Sequence, residues 1–262
     1  MEEQQLDGGV ANAGKVVRVG NHVLRPANEF SASIRAFLLA MRADGFDGVP
    51  EPLGVDRDGR ERFGFIEGDV PIPPYPEWVQ RDQALASVAR LLRRFHQAAA
   101  AFDPSGWTWS DEMVDPAGGG IVLHNDVCLE NVVFRDGVAV ALIDFDFAAP
   151  GRAIFDVVRF ARMCIPVDDD VNAPRLGWRP SDKPARLRLV VDAYGLDAEQ
   201  RAQLLALLDH SIERGGQFVR RRVEAGDPNF IAMWNEMGGA ERFERRRRWW
   251  LDRYEDFADA LR

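Results

Sequence analysis

Along the first part of the chain, apolar and polar positions alternate in short bursts. Lys15-Val16-Val17-Arg18-Val19, the pair Gly20-Asn21 and His22-Val23-Leu24-Arg25 predict a tight hairpin, because Gly and Asn accept the positive φ of a two-residue turn. After Pro26 and Asn28 the period changes. Ile34, Phe37, Leu38 and Met41 fall on one helical face, and Gly45 is a plausible stop. A second hairpin is expected from Glu51–Val55 and Arg62–Ile66 around the turn Asp56-Arg57-Asp58-Gly59. Residues up to about 66 thus read as a small mixed unit.

The stretch from Gly68 to Pro76 is dense in proline and continues neither element, which makes it the best boundary in the chain. The expected division is residues 1–67 and residues 68–262. Beyond the boundary, Ala84, Val88, Leu91, Leu92 and Phe95 repeat at helical spacing and predict a long amphipathic helix to about Ala101. A loop rich in Gly, Pro and Trp leads to the apolar strand Ile121-Val122-Leu123. From about Asp182 onward the pattern is helical, with breaks expected near Gly195, Gly215-Gly216, Pro228 and Gly238-Gly239.

Composition narrows the class. A chain of 262 residues with 46% apolar and 29% charged residues can bury a sizeable core. The net charge of −9 argues against nucleic acid as a partner. It is compatible with a cationic substrate, although solubility alone is the commoner reason for an acidic balance. The opening MEEQQLDGGV lacks the basic and apolar regions of a signal peptide, and no apolar run approaches the roughly 18 residues of a membrane span. Two cysteines, Cys128 and Cys164, without metal-ligand or disulfide spacing fit a reducing cytoplasm.

The chemistry concentrates between Ile121 and Asp156. Val132-Val133-Phe134 and Val138 to Ile143 are strand-like and flank the turn Arg135-Asp136-Gly137. Paired as a hairpin, they make neighbours of Asn131 and Asp144, since adjacent strands lie about 5 Å apart. An amide oxygen and a carboxylate suit Mg²⁺, which takes few protein ligands and completes its shell with water and phosphate. Asp126, five positions ahead of Asn131, could take the proton of an attacking hydroxyl.

His124-Asn125-Asp126, Asn131 and Asp144-Phe145-Asp146 match the kinase pattern of a catalytic-loop Asp, an Asn metal ligand and a second metal-binding Asp. Their wording resembles the aminoglycoside phosphotransferase family of small-molecule kinases, and within it bacterial members of unassigned substrate. Ala149-Pro150-Gly151, Asp156, Phe46–Pro50 and Ile66-Glu67-Gly68 extend the resemblance. It implies an α+β, protein-kinase-like, two-lobed fold with a small β-rich N-terminal lobe and a larger, mainly helical C-terminal lobe. It implies Asp126 as catalytic base, Asn131 and Asp144 as Mg²⁺ ligands, His124 as a brace and Asp156 as a tie for the loop. Phe65, Ile66, Glu67 and Gly68 would be the hinge that meets the adenine of ATP.

The pattern departs from kinases where a lysine usually holds the α- and β-phosphates; here the matching residue is Arg25. The following helix offers Glu29 as the nearest acidic partner, and the glycine-rich stretch Gly8 to Gly14 is a candidate phosphate cover. His96 reads as a packed histidine, and Cys128 as a spectator thiol. Arg245 to Arg248 beside Trp249-Trp250 reads as a solvated helix face, paired at i,i+4 with Glu241, Glu244, Asp252 and Glu255. Glu213, Glu224, Asp227 and Glu236 are acidic residues that could meet a cationic substrate, most of them simply exposed. The expected activity is O-phosphorylation of a small hydroxylated molecule, antibiotic or metabolite, by Mg-ATP. The alternative is a kinase-fold binding or immunity protein that sequesters a ligand. The acceptor and the oligomeric state are not legible.

Overall fold

The computed structural model describes residues 3–6 and 15–262. Five strands, β1 (Gln4–Gln5), β2 (Val17–Val19), β3 (His22–Pro26), β4 (Pro52–Val55) and β5 (Arg60–Gly64), form an antiparallel sheet in the order β1-β2-β3-β5-β4. Gly20 supplies φ 60° to the β2–β3 turn, and Val17 pairs with Leu24. The second hairpin closes earlier than its apolar pattern predicts. The Asp56 carboxylate accepts the N–H groups of Asp58 and Arg60 at 2.9 and 2.8 Å, which starts β5 at Arg60. Between β3 and β4 runs α1 (Ser31–Ala43). At its start Ser31 Oγ accepts the N–H of Asn28, and Asn28 Oδ1 accepts that of Phe30, both at 2.9 Å. Its predicted face, Ile34, Phe37, Leu38 and Met41, is buried.

The rest of the chain is built on helices: α2 (Asp82–Ala99), α3 (Ala153–Cys164), α4 (Ala173–Leu176), α5 (Lys183–Tyr194), α6 (Ala198–Glu224), α7 (Pro228–Met237) and α8 (Gly239–Leu261). Between α2 and α3 lie two small antiparallel pairs. β6 (Ile121–Leu123) pairs with β9 (Ala149–Gly151), and β7 (Val132–Arg135) with β8 (Val138–Leu142). The result is an α+β fold.

Two expectations fail, each for a tertiary reason. Gly215-Gly216 does not break a helix: α6 runs from Ala198 to Glu224 without interruption. A Cβ at Gly215 would collide with the Arg162 guanidinium, and one at Gly216 with the Phe243 ring. The glycines therefore let neighbouring groups approach the helix, which offsets the roughly 1 kcal/mol each costs against alanine. The arginine tract is not a purely solvated face. Arg246 is buried and donates to the Val167 carbonyl at 3.1 Å, Arg245 reaches Asp169 at 3.2 Å, and Arg247 pairs with Asp209. Of the anticipated i,i+4 pairs, Glu241–Arg245 forms at 3.8 Å.

A continuous apolar core extends from Ile34 to Leu261. Phe37 joins the sheet side to the helical side: its ring meets those of Phe95, Phe102, Trp109 and Phe145 edge-on at 5.3–6.3 Å. Phe37→Ala is expected to cost about 3–5 kcal/mol. Urea titration checks this as a lowered midpoint at unchanged slope.

Candidate active site

The β7–β8 hairpin sets the geometry. Val132 pairs with Leu142, and one step earlier the Ile143 N–H donates to the Asn131 carbonyl at 2.9 Å. Residues 131 and 144 therefore stand at the same end of the ribbon. Asp144 adopts φ 63°, a left-handed conformation that Asp tolerates better than most side chains. The Asn131 amide donates to the Asp126 carbonyl at 2.9 Å and to the Asp126 carboxylate at 3.0 Å. Its nitrogen is thus committed to Asp126, leaving the amide oxygen as the end suited to a cation.

The loop carrying Asp126 is pinned from below. Asp156, fully buried at the start of α3, accepts the backbone N–H of His124 at 2.8 Å and of Asn125 at 2.7 Å, and contacts His96 Nε2 at 3.0 Å. Asn125 takes φ 62° to present both groups. His96 also meets the Tyr194 hydroxyl at 2.8 Å. Sequence reasoning placed His96 in packing but had no signal for its partner, which lies sixty positions on. The His124 ring bridges the Ile143 carbonyl at 2.9 Å and the Asp126 N–H at 3.3 Å, so it spans from the loop to the hairpin.

Arg25 enters from β3. Its guanidinium contacts Asp144 at 3.2 Å, pairs with Asp146, and lies 3.8 Å from Glu61. The acidic partner on its own side is thus not Glu29, which is exposed, but Glu61. Glu61 is directly opposite Arg25 in the β3–β5 register. A linear reading did not connect residues on two strands that are neighbours only after the sheet folds. Asn28 Nδ2 adds a 3.1 Å bond to Asp146.

These groups border a cavity of about 310 Å³ lined by Arg25, Glu61, Asn131 and Asp144 and by apolar side chains of both halves, among them Val23, Leu38 and Phe145. Phe65, Ile66 and Gly68 line it; Glu67, expected with them, is exposed and absent from its wall. The Glu67 carbonyl instead accepts Arg135 Nε at 2.8 Å, and its carboxylate pairs with Arg18. Gly68, at φ 149°, presses against the Phe134 carbonyl where a Cβ would collide. Asp69 and Phe134 exchange two backbone bonds of 2.8 Å beside it. The Gly8–Gly14 stretch lies outside the described residues.

Burial dominates the electrostatics. It pushes the Asp126 carboxyl up to about 6, against the pull of Arg159, Arg162 and the Asn131 amide. It also raises Asp144, reinforced by Asp146 and opposed by Arg25. Cys128 is buried and its thiol pushed far up, consistent with an inert side chain. Among the described residues no group of three or more His, Cys, Asp or Glu is placed to hold a metal ion. Asn131 and Asp144 on one cavity wall do fit a cation that takes most of its ligands from phosphate and water.

An α+β scaffold with such a loop, hairpin and cleft is that of the kinase-like phosphotransferases. A model of the phosphotransferase enzyme family matches residues 107–205. The trifolitoxin immunity protein of Rhizobium leguminosarum bv. trifolii is 33% identical over 192 residues, covering 71% of this chain and 72% of that protein. The chain belongs to the phosphotransferase enzyme family. Solved structures show the same fold at low identity. A choline/ethanolamine kinase family protein from Mesorhizobium loti superposes with TM-score 0.65 at 16% identity, over 100% of this chain and 92% of that one. A choline kinase from Cryptosporidium parvum gives 0.61 at 14%, over 98% and 90%. Aminoglycoside 2′-phosphotransferase-IIIa in its GDP complex gives 0.57 at 15%, over 99% and 93%. No described helix is long and apolar enough to cross a membrane.

The pinning of the loop carries a pH signature. Burial lowers the His124 imidazole, whereas the unfolded histidine takes a proton near about pH 6.5. At this group the unfolded state therefore binds more protons below that pH, and the stability His124 contributes is lost on acidification. Burial opposes ionisation of Asp156, but the His96 contact and the His124 ring and N–H outweigh it and hold the carboxyl below its usual value. A second loss follows as pH drops below about 4, where the unfolded carboxylate protonates first. The raised Asp126 and Asp144 carboxyls act in the opposite sense, since the folded state takes up their protons first between about pH 6 and 4. The histidine signature is therefore read as a difference: the urea midpoint of His124→Gln is expected to rise relative to wild type as the pH falls from about 7 to 5.

Proposed function

We propose that the chain is a Mg-ATP-dependent phosphotransferase that phosphorylates the hydroxyl of a small molecule. The observation that carries this reading is the Asp126–Asn131 hydrogen bond at 3.0 Å, with Asp144 at the same end of the hairpin and on the same cavity wall as Asn131. Residues 1–67 serve as the nucleotide-binding lobe and residues 68–262 as the catalytic and acceptor-binding lobe, in the cytoplasm. Phe65, Ile66 and Gly68 receive the adenine on an apolar wall, and Arg25 turns from the carboxylates toward the phosphates. The Asn131 amide oxygen and Asp144 hold Mg²⁺, which when bound neutralises charge on the phosphate oxygens. Asp126 orients the acceptor hydroxyl and takes its proton while the new O–P bond forms and the bond to ADP breaks. His124 and Asp156 keep Asp126 in place. Positioning and charge neutralisation supply most of the acceleration, with the base adding about 10²–10⁴-fold.

A second reading is a protein that binds its ligand without phosphoryl transfer. The name of the 33% identical relative favours it, as does the engagement of Asp144 and Asp146 by Arg25. The two separate cleanly. Under the enzymatic reading, Asp126→Ala keeps Mg-ATP binding and loses about 10²–10⁴-fold in turnover, while Asp144→Ala loses Mg-dependent nucleotide binding. Calorimetry of both variants, with mass-spectrometric detection of product, is the measurement. Unchanged Mg-ATP affinity in Asp144→Ala, or no effect of millimolar ATP on the wild-type protein, sinks the enzymatic reading.

A further inference from the structure

Beside Asp126, and outside the wall of the nucleotide cavity, the chain gathers arginines. Arg159 and Arg162 lie on α3 and both act electrostatically on Asp126; neither lines the cavity of Arg25 and Asp144. Arg159 is 1% exposed, with Nη2 on the Met113 carbonyl at 3.0 Å and Nε buried without a partner. Arg246 and Arg242 approach from α8; Arg242 pairs with Asp168 at 2.7 Å, and Arg246 is held by the Val167 carbonyl. Arg214 of α6 donates to the Val114 carbonyl at 2.9 Å.

Arg162 differs from all of these. Its Nε is buried and unpartnered, and its guanidinium makes no hydrogen bond or close ion pair among the described residues. Gly215 of α6 leaves the room that its guanidinium occupies. Burial lowers its pKa, and Arg246, Arg159 and Arg242 lower it further against Asp126. The residue is half-buried, so water still reaches its outer nitrogens, while the inner edge of the guanidinium is desolvated without a partner beside three other cations, which is unfavourable. Such a group is stabilised by an anion that accepts its fork of donors, and a carboxylate or a phosphate does so in bidentate fashion.

We infer that the acceptor is a hydroxylated anion, whose carboxylate or phosphate binds Arg162 while its hydroxyl lies at Asp126. This rests on the phosphotransferase reading of Asp126 but concerns a different face of it. The step is unchanged: the hydroxyl oxygen bonds to the γ-phosphorus, the bond to ADP breaks, and the proton goes to Asp126. The negative group takes no part and holds the hydroxyl in line. A cationic acceptor at Asp126 would be repelled by Arg162 and by the buried Arg159, and the neighbouring Glu130 faces the nucleotide cavity with one oxygen on the Tyr75 hydroxyl at 2.8 Å. The acidic residues that could have suited one are engaged elsewhere or exposed: Glu236 pairs with Arg175, Asp227 caps α7, and Glu213 and Glu224 face solvent.

The test uses the full chain and has two arms. First, thermal unfolding at constant ionic strength, without nucleotide, is followed with glycerate, glycerol 3-phosphate, glycerol and choline as probes. Glycerate or glycerol 3-phosphate is expected to raise the midpoint by about 3 °C or more, glycerol and choline are not, and Arg162→Met abolishes the response. Whichever of the two anions acts identifies the carboxylate or the phosphate as the recognised group. Second, turnover with Mg-ATP is measured on the same matched set. The anionic member is expected to be phosphorylated, with KM raised about 30-fold in Arg162→Met, a loss in the range for one charged contact, and with kcat little changed. Arg162→Lys, which keeps the charge but loses the fork, should fall between and guards against a folding defect. An Arg162→Met protein that still responds fully to the anion overturns the inference. So does a wild-type protein stabilised by Mg-ATP but by neither anion, in which case the kinase reading survives alone. Anion binding lost in Arg162→Met, without ATP-dependent product, upholds the site and removes the kinase reading instead.

Discussion

The Asp156 carboxylate is the constraint on which the site depends. It is fully buried and accepts two consecutive backbone N–H groups of the loop that bears Asp126, and a histidine from α2 closes around it. A buried charge without such partners is prohibitively costly, so the carboxylate and the loop conformation stabilise each other. The left-handed conformation of Asn125 follows from this arrangement, because it is what aims two adjacent N–H groups at one acceptor. Asp126 thereby stands at a fixed distance from Asn131, and the hairpin brings Asp144 to the same place.

Around this fixed centre the charges divide into two regions. On the cavity side, carboxylates outnumber cations: Asp144, Asp146 and Glu61 converge on Arg25. Beside Asp126 and outside that cavity, guanidiniums from α3, α6 and α8 dominate. Asp126 is where the two fields meet. On the proposed reading, a polyphosphate with its counter-cation would suit the first region and a free anion the second, and charge pattern would sort the two before shape is considered.

The sequence made the local features plain and hid the tertiary ones. The hairpin around Asp136-Gly137, the face of α1, the span of α2 and the cluster of Asp126, Asn131 and Asp144 were legible because each depends on period, turn chemistry or short spacing. Glu61 as the neighbour of Arg25 was not, since it depends on pairing strands thirty-six positions apart. Gly215-Gly216 looked like a helix end because intrinsic propensity says so, and the need to admit Arg162 and Phe243 was invisible. The arginine tract of α8 looked solvated because the partners of Arg245, Arg246 and Arg247, namely Asp169, Asp168 and Asp209, come from other segments. Net charge was the weakest guide: an excess of acid over the whole chain says nothing about the arginines gathered beside one aspartate.

The ring of Phe37 has a bearing on how the molecule is made. Its aromatic neighbours lie between positions 95 and 145, so Phe37 emerges from the ribosome 58 to 108 residues before the rings that cover it. Until then the helix has only the early strands to lean on, and a surface meant for the interior stays in water. The amino-terminal portion is therefore synthesised first but consolidated late, once the middle of the chain arrives to receive it.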